Sequence, residues 1–364
     1  MMDSKRILLI GSLSPPITGV SICNDKIIKE VSKKEGYTID IINTSNSSFN
    51  EGIGNFSIKK VFFYFKQYFY LYKIFKTDIV YLTVGQTFWG VLRSYPFILF
   101  SKVAGKKSIA HIHGNYLKTQ FNLLTGVKKR IFVKALKTLN FGIVLSENLK
   151  DNLTPFLQDS NIFVIHNFVD FNILNISQQE VIDKNIEELK ILFLSNLMTE
   201  KGIFDLLDAL KILEKKNIKF KANLAGEIDS SIEKEVFSFI KTMKNINYLG
   251  IVKGKQKKKL LLESNTFVLP TYYKMEGQPI SILEAMASGN IILSTNHAGI
   301  SDIFSSKNGF FIEKKSPEDI ALKLEKLSKE LFKQKQTMID NSLYVKENFT
   351  ENNFINSLLG VFNI

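Results

Sequence analysis

The 364-residue sequence contains only one cysteine, Cys23, one tryptophan and four histidines. A single thiol cannot form an internal disulfide and cannot build a metal site from several cysteines. The most hydrophobic region, residues 88–100, is interrupted by Arg93 and Pro96, so no apolar run reaches the ~18 residues of a membrane span. The first residues hold one apolar run too short for the core of a signal peptide. These absences predict a cytoplasmic protein that does not span a membrane.

Acidic residues and arginine are also scarce in parts of the chain. Residues 1–170 carry a net charge of +11, whereas residues 171–364 carry only +2, and all three arginines lie in the first half. This asymmetry predicts that the N-terminal half faces an anionic partner, either nucleic acid or an acidic membrane leaflet. A lysine-rich composition caused by codon usage alone would give the same balance, so both interpretations stay open.

Short apolar runs alternate with helix-length segments along the chain. Such alternation is typical of βαβ units with a parallel sheet. The runs form two sets of six, separated by the polar residues 171–189. The first set is 6–10, 37–42, 78–83, 108–112, 141–145 and 162–165, and the second is 190–194, 220–224, 246–249, 266–269, 290–294 and 309–312.

The two sets predict an α/β protein with two Rossmann-like domains. The predicted N-terminal domain is 1–171, the linker 172–189 and the C-terminal domain 190–345. Residues 346–364 form a C-terminal helix that is expected to pack back on the N-terminal domain.

The most informative segment is residues 270–289, which follows an apolar strand. Pro270 to Gln278 form a loop at the strand's carboxyl end, where ligands bind in open α/β sheets. Pro279 is placed at the start of a helix whose unpaired N-terminal amides suit phosphate or sugar oxygens. Glu276 and Glu284 flank this helix start, and ionised carboxylates can accept hydrogen bonds from vicinal hydroxyls. Alone, they could equally be a solvated loop acid and an ordinary helix acid.

The full segment, Glu276-Gly-Gln-Pro-Ile-Ser-Ile-Leu-Glu284-Ala-Met-Ala-Ser-Gly, closely resembles the signature of retaining glycosyltransferases with the GT-B fold. The large glycosyltransferase family 4 type, which includes bacterial surface-polysaccharide enzymes, carries this pattern. Five further segments resemble the family in the same order: 145–147, 165–170, 195–202 and the two strand ends at Gly226 and Gly250. The resemblance implies the GT-B fold, in which two doubly wound parallel-sheet domains face each other across a cleft.

The resemblance also implies roles for individual residues. Glu284 is expected to hold the ribose hydroxyls of the donor, and Glu276 to face the transferred sugar. Lys201 is expected to neutralise the leaving diphosphate, and Asn196 stands where the family usually has an arginine. His113 is expected near the transferred sugar, with His111 on the other face of the sheet. The remaining donor-binding residues implied are Gly19, Ser195, Gly277, Gln278, Pro279 and Ile280.

No group of His, Asp and Glu has metal-ligand spacing, and no Asp-x-Asp motif is present. The resemblance accordingly implies a metal-independent hexosyltransferase that needs no cofactor besides its nucleotide-sugar substrate, with a uridine or guanosine base. His166 and His297 are weaker site candidates.

Two segments bear on the acceptor. Residues 61–75 are aromatic on nearly all sides of a helix, and residues 118–137 combine six basic residues with an apolar face. A basic, apolar-faced helix can lie on an acidic membrane, although such helices can also simply pack on the sheet. A polyprenyl-linked saccharide, met at the inner face of the plasma membrane, is the expected acceptor in capsule, O-antigen or exopolysaccharide synthesis.

Three other functions fit the sequence less well. A sugar-nucleotide epimerase can share the two domains but lacks the Glu276-to-Glu284 segment. A nucleic-acid-binding protein needs a recognisable module, and the sequence has none, so nucleic acid is not expected as a partner. A dinucleotide oxidoreductase is disfavoured because the spacing of Gly11 and Gly19 does not fit the G-x-G-x-x-G fingerprint.

Overall fold

The computed structural model describes residues 4–45, 63 and 65–364. The chain divides into two compact units. Unit 1 comprises residues up to Asn167 together with Ile355–Ile364, and unit 2 comprises Phe168–Phe354.

Unit 1 contains a parallel sheet of six strands in the order β2-β1-β3-β4-β5-β6. Ile7, Leu8 and Leu9 on β1 are at most 1% exposed, as expected for a strand covered on both faces. The strands are β1 (Lys5–Gly11), β2 (Tyr37–Asn43), β3 (Ile79–Thr83), β4 (Lys107–Ile112), β5 (Phe141–Val144) and β6 (Ile162–Val164).

The helices of unit 1 connect these strands. They are α1 (Gly19–Val31), α2 (Phe88–Val103), α3 (Leu117–Leu123) and α4 (Gly126–Lys137), with 3-10 helices at Tyr68–Lys76, Glu147–Asn152 and Asp159–Asn161. The aromatic segment 61–75 lies partly outside the described residues, and its later part belongs to the 3-10 helix Tyr68–Lys76. Residues 118–137 form two helices rather than one, because Leu124 and Thr125 leave the helical conformation.

Unit 2 repeats the same design with the strand order β12-β11-β10-β7-β8-β9, again all parallel. Its strands are β7 (Leu189–Leu194), β8 (Phe220–Ala225), β9 (Ile246–Tyr248), β10 (Thr266–Leu269), β11 (Ile291–Thr295) and β12 (Gly309–Ile312). Each of the twelve runs predicted from the sequence therefore corresponds to a strand.

The helices of unit 2 are α5 (Phe171–Leu174), α6 (Gln178–Ile182), α7 (Ile203–Lys215), α8 (Glu233–Thr242), α9 (Gly254–Glu263), α10 (Ile280–Ala287), α11 (Pro317–Glu330) and α12 (Lys335–Asn348), with 3-10 helices at Thr199–Lys201, Ile300–Asp302 and Leu331–Gln334. Residues 172–189, predicted to be a linker, are not an extended connection. Ile173, Ile176 and Val181 in this segment are at most 2% exposed and belong to the core of unit 2, because α5 and α6 each bury an apolar face.

The last helix, α13 (Glu351–Asn363), begins in unit 2, and its residues from Ile355 onward belong to unit 1. Within unit 1, Lys5 Nζ donates to the Phe362 carbonyl at 3.1 Å and Tyr37 Oη donates to Asn363 Oδ1 at 2.7 Å. Among the described residues, no helix is both long enough and apolar enough to cross a membrane.

Candidate active site

The chain order of unit 2 reverses between β7 and β10, which are neighbours in its sheet. From this point β8 and β9 extend on one side and β11 and β12 on the other. Ligands of open α/β sheets bind at the carboxyl ends of the strands beside such a reversal. The loops that leave β7 and β10 there are residues 195–202 and 270–279, which are the two segments singled out in the sequence.

The two loops are held together by backbone contacts. The Tyr272 amide donates to the Glu200 carbonyl at 2.8 Å. Gly202 has φ +79°, and a Cβ at this position would lie 2.4 Å from the Pro270 carbonyl oxygen. Only glycine fits this turn, since a side chain would meet both the left-handed backbone and the neighbouring loop. The turn fixes Lys201 beside the second loop.

Lys201 and Glu276 form an ion pair across these loops, with 2.6 Å between Nζ and Oε2. Their side chains are 14% and 8% exposed. Thr271 Oγ1 donates to the same carboxylate oxygen at 2.9 Å, and the Lys201 ammonium lies 5.1 Å from the centre of the Tyr273 ring. The structure thus brings two predicted catalytic residues together, in a pair that sequence reasoning did not foresee.

The loop after Glu276 is tightly packed where helix α10 begins. Gly277, Gln278 and Pro279 are buried, and Ile280 is half-buried at the first helical position. The Gly277 carbonyl accepts from the Gly299 amide at 3.0 Å. The amides that open α10 lie at the positive end of the helix dipole, so this segment can offer donors to an anionic group.

Glu284 lies on α10 and is 5% exposed. Burial raises the pKa of its carboxyl group, and the nearby Asp170 carboxylate raises it further, while the Lys257 ammonium lowers it. Lys257 donates a hydrogen bond to Glu284 Oε1. The lysine therefore stabilises the ionised carboxylate, which is the form that accepts hydrogen bonds from hydroxyl groups.

Lys257 was missed by the sequence reasoning. It lies on α9 within a run of lysines at positions 253, 255, 257, 258 and 259, which is typical of a solvated helix face. Nothing in that run distinguishes the one lysine that pairs with a buried acid.

His297 forms a hydrogen bond to the backbone of Tyr273. Its Nε2–H donates to the Tyr273 carbonyl at 2.8 Å, and Lys314 Nζ donates to its Nδ1 at 3.1 Å. Burial lowers the pKa of His297, and the Lys314 and Lys201 ammonium groups lower it as well, which outweighs the opposite effects of the Tyr273 carbonyl and the Glu276 carboxylate. The ring is therefore held neutral with both nitrogens engaged.

Ser195 and Asn196 follow directly after β7. The Ser195 amide donates to the Ala225 carbonyl at 3.1 Å, and Ser195 is half-buried while Asn196 is exposed. Gly226 has φ +142°, and a Cβ there would lie only 1.9 Å from the Ser195 carbonyl oxygen. The glycine thus lets the β8 end approach the β7 end closely.

The other two predicted site residues, Gly19 and His113, belong to unit 1. Gly19 is exposed at the first position of α1, where Thr18 caps the helix by accepting from the Ser21 amide at 3.1 Å. His113 follows β4, and burial lowers its pKa to about 4, so its ring is neutral near pH 7.

The expectation that His111 lies on the other face of the sheet is wrong. The His111 and His113 rings lie side by side on one face, with 4.0 Å between their centres and a tilt of 31° between their planes. Residues two apart along an extended strand point to the same side, which explains the observed arrangement.

Comparison with protein families gives a match for the region that holds the Lys201–Glu276 and Lys257–Glu284 ion pairs. Residues 175–343 match the model of the family described as glycosyl transferases group 1. This region is a group 1 glycosyl transferase domain. It contains Lys201, Lys257, Glu276 and Glu284, so both ion pairs lie within it.

Three curated relatives of this chain carry glycosyltransferase names. The uncharacterized glycosyltransferase MJ1607 of Methanocaldococcus jannaschii is 30% identical over 49% of this chain and 48% of its own. The uncharacterized glycosyltransferase MJ1069 of the same organism is 25% identical over 96% and 95%. The capsular polysaccharide biosynthesis glycosyltransferase CapM of Staphylococcus aureus is 27% identical over 51% of each. The chain spans about half the length of MJ1607 and CapM.

A solved structure resembles the whole chain. Anabaena Alr3699/HepE in complex with UDP-glucose superimposes with a TM-score of 0.75 at 15% identity, covering 98% of this chain and 99% of that one. At this identity the likeness concerns the fold. The predicted GT-B fold class, two doubly wound parallel-sheet domains, is confirmed by this match and by the two six-stranded sheets.

Proposed function

We propose that the chain is a retaining glycosyltransferase that moves a hexose from a nucleotide-diphosphate sugar to a saccharide acceptor in surface-polysaccharide synthesis. The observation that carries this proposal is the Lys201–Glu276 pair at the β7/β10 reversal, next to the N-terminus of α10. The names of the relatives and the UDP-glucose complex of HepE support the same class of reaction.

The proposed roles follow from charge. Departure of the nucleoside diphosphate places negative charge on its outer phosphate, and the Lys201 ammonium with the opening amides of α10 stabilises that charge. Without donor, Glu276 neutralises Lys201, so an arriving diphosphate competes for the ammonium. The carboxylate then becomes available to hydroxyls of the sugar. Because Lys201 supplies the required cation, we infer that transfer needs no metal.

Glu284 is the proposed ribose ligand. Lys257 engages Oε1 and holds the group ionised, which leaves the other carboxylate oxygen to accept from hydroxyl groups. Uridine and guanosine donors are both compatible with this role, since it does not involve the base.

The test of donor binding is thermal unfolding of the full chain with a panel of nucleoside diphosphates, without added metal. A ligand at 100 times its dissociation constant raises the free energy of unfolding by about 2.7 kcal/mol. For a domain of about 150–250 residues, this increase raises Tm by about 5–10 °C. We expect one diphosphate to give this shift, and Lys201→Met and Glu284→Gln to abolish it. Lys215→Met, an exposed lysine on α7, is the matched control and should keep the shift.

Absence of a shift with every diphosphate would contradict the proposal, as would an undiminished shift in both site variants. Retention is tested on the sugar released or transferred from the donor that binds. We expect NMR of the fresh product to show the anomeric configuration of the donor. An inverted product would refute the retaining mechanism while leaving transfer intact.

The acceptor is the second part of the proposal. Unit 1 exposes large apolar side chains within the basic half of the chain: Trp89 is 62%, Val127 68% and Leu123 65% exposed. Lys128, Lys129 and other basic residues accompany them, and apolar side chains among cations suit an anionic lipid surface. We infer that the enzyme lies on the cytoplasmic face of the plasma membrane and uses a polyprenyl-linked saccharide.

Vesicle sedimentation tests the membrane contact. We expect the protein to sediment with vesicles containing anionic phospholipid and to stay in solution with neutral ones. Trp89→Ser with Val127→Ser should reduce sedimentation at least tenfold, whereas Phe332→Ser, which removes an equally exposed side chain of unit 2, should not. Equal binding to both vesicle types, or equal loss in the Phe332 control, would refute the assignment.

A further inference from the structure

Three side chains that are distant in the sequence meet inside unit 1. Cys23 comes from α1, His111 from β4 and His113 from the segment after β4. Their potential ligand atoms all lie within 4.8 Å of one another. Among residues 4–45, 63 and 65–364, this is the one such group of three or more His, Cys, Asp or Glu side chains.

Two nitrogen atoms of this cluster lack hydrogen-bond partners. The Nε2 atoms of His111 and His113 are both buried, and neither has a partner within the described part of the chain. Buried polar atoms are normally paired, so two unpaired imidazole nitrogens beside one thiol call for an explanation. His111 itself is 0% exposed, which excludes pairing with bulk solvent.

A hydrogen bond to Tyr81 fixes the orientation of the His111 ring. Its Nδ1 lies 2.5 Å from the hydroxyl oxygen of Tyr81, a fully buried residue on β3. When Nδ1 carries the proton and donates to this oxygen, Nε2 presents a lone pair toward the cluster. A metal-binding histidine usually engages its second nitrogen in this way. Burial lowers the pKa of both histidines, so both rings are in the neutral form that binds metals.

We propose that Cys23, His111 and His113 form a binding site for a thiophilic divalent cation, with Zn²⁺ as the preferred ion. One thiolate and two imidazoles are ligands that Zn²⁺ favours. With Zn–S of about 2.3 Å and Zn–N of about 2.0–2.1 Å, the ligand atoms of a tetrahedral site lie about 3.5 Å apart. Because the ligand atoms of the cluster lie within 4.8 Å of one another, they reach that spacing by approaching at most about 1.3 Å closer. A fourth ligand can be water.

Proton balance follows from the state of the thiol. Burial raises the pKa of Cys23, so the metal-free side chain is protonated. Binding replaces the thiol proton by the metal, and one proton is released to solvent for each Zn²⁺ bound. The two histidines are already neutral and release none. This site lies in unit 1 and does not include Lys201, Glu276 or Glu284. It shares His113 with the residues that the family resemblance implies near the transferred sugar, but its test measures metal binding and does not depend on transferase activity.

The experiment is a titration of the full chain, without an affinity tag that contains histidine, first with Co²⁺ and then with Zn²⁺ in competition. A thiolate ligand to Co²⁺ gives a charge-transfer absorption band, and this protein has only one cysteine to supply it. We expect the band to appear at one Co²⁺ per chain and to vanish when Zn²⁺ displaces it. Proton release of about one per Zn²⁺, followed with an indicator in weak buffer, tests the wild-type chain without any variant.

Substitutions assign the ligands. Cys23→Ser should remove the band and weaken Zn²⁺ binding at least tenfold. Tyr81→Phe should keep the band but weaken binding by about 10–100-fold, the usual effect of removing a hydrogen bond to a ligand. His166→Gln, a histidine of unit 1 outside the cluster, is the matched control and should bind like the wild type. A wild-type protein that gives neither band nor proton release, or a Cys23→Ser variant with unchanged affinity, would overturn the proposal.

Discussion

The ion pair between Lys257 and Glu284 offers the sharpest test of the site's electrostatics. Replacing Lys257 with methionine keeps the length and apolar stem of the side chain but removes the ammonium. The carboxylate of the buried Glu284 then loses its cationic partner. We expect the free energy of unfolding to fall, because an ionised group in a low-dielectric environment without a partner is costly.

The magnitude follows from the burial of the two partners. Removing one partner of a buried ion pair costs about 3–5 kcal/mol. The Lys257 side chain is 24% exposed and Glu284 7%, so we expect the lower end, about 3 kcal/mol. That loss corresponds to a fall in Tm of about 6–12 °C for a domain of this size.

The assay is differential scanning calorimetry of the full chain, and the helix supplies its own control. Lys259 pairs with Glu263 on the same helix at 3.6 Å, but their side chains are 75% and 57% exposed. Lys259→Met should therefore cost less than about 0.5 kcal/mol. If Lys257→Met costs no more than Lys259→Met, the assignment of Glu284 as a buried carboxylate that depends on Lys257 is refuted.

The pH dependence supplies a second, independent check of the same pair. Burial already raises the pKa of Glu284, and loss of Lys257 removes an interaction that lowers it. A raised carboxyl pKa in the folded state destabilises the fold above that pKa and ceases to do so once the group is protonated. The destabilisation by Lys257→Met should therefore shrink as the pH falls from about 7 through the raised pKa of Glu284. Glu284→Gln in the same chain should remove this pH dependence.

Two further predictions concern unit 2. Gly202→Ala should lower the free energy of unfolding by at least about 2 kcal/mol, because a clash with the Pro270 carbonyl adds to the ~1 kcal/mol cost of a left-handed alanine. Gly105 has φ +65° and open space around it, so Gly105→Ala measures the backbone cost alone. Equal losses of stability in urea unfolding of the two variants would contradict the clash. Lys184 is buried, donates to the carbonyls of Leu261 and Ser288 at 2.9 and 2.6 Å, and has its pKa held well below the usual range by burial. Since its ammonium is disfavoured in the fold, the stability advantage of wild type over Lys184→Met should grow as the pH rises, and a constant difference would refute this.

Much of the fold could be predicted because it depends on local patterns. Apolar runs such as residues 6–10 and 266–269 are covered on both faces in a parallel sheet, and this requirement is visible in one strand at a time. Pro279 at a helix start and Gly289 after its end likewise mark α10 without knowledge of its neighbours. The ends of elements were harder, as the break between α3 and α4 shows.

The sequence by itself determined where the twelve strands lie along the chain and that they form two sets of six. It also determined the loops at 195–202 and 270–279, which carry Lys201 and Glu276. Only the tertiary structure decided which charges pair. Lys257 stands in a run of similar lysines, and its contact with Glu284 depends on how α9 and α10 pack. Cys23 meets His111 and His113 for the same reason, since α1 lies against the sheet that carries β4. Pairings of this kind depend on distances across the fold, which no local pattern of residues encodes.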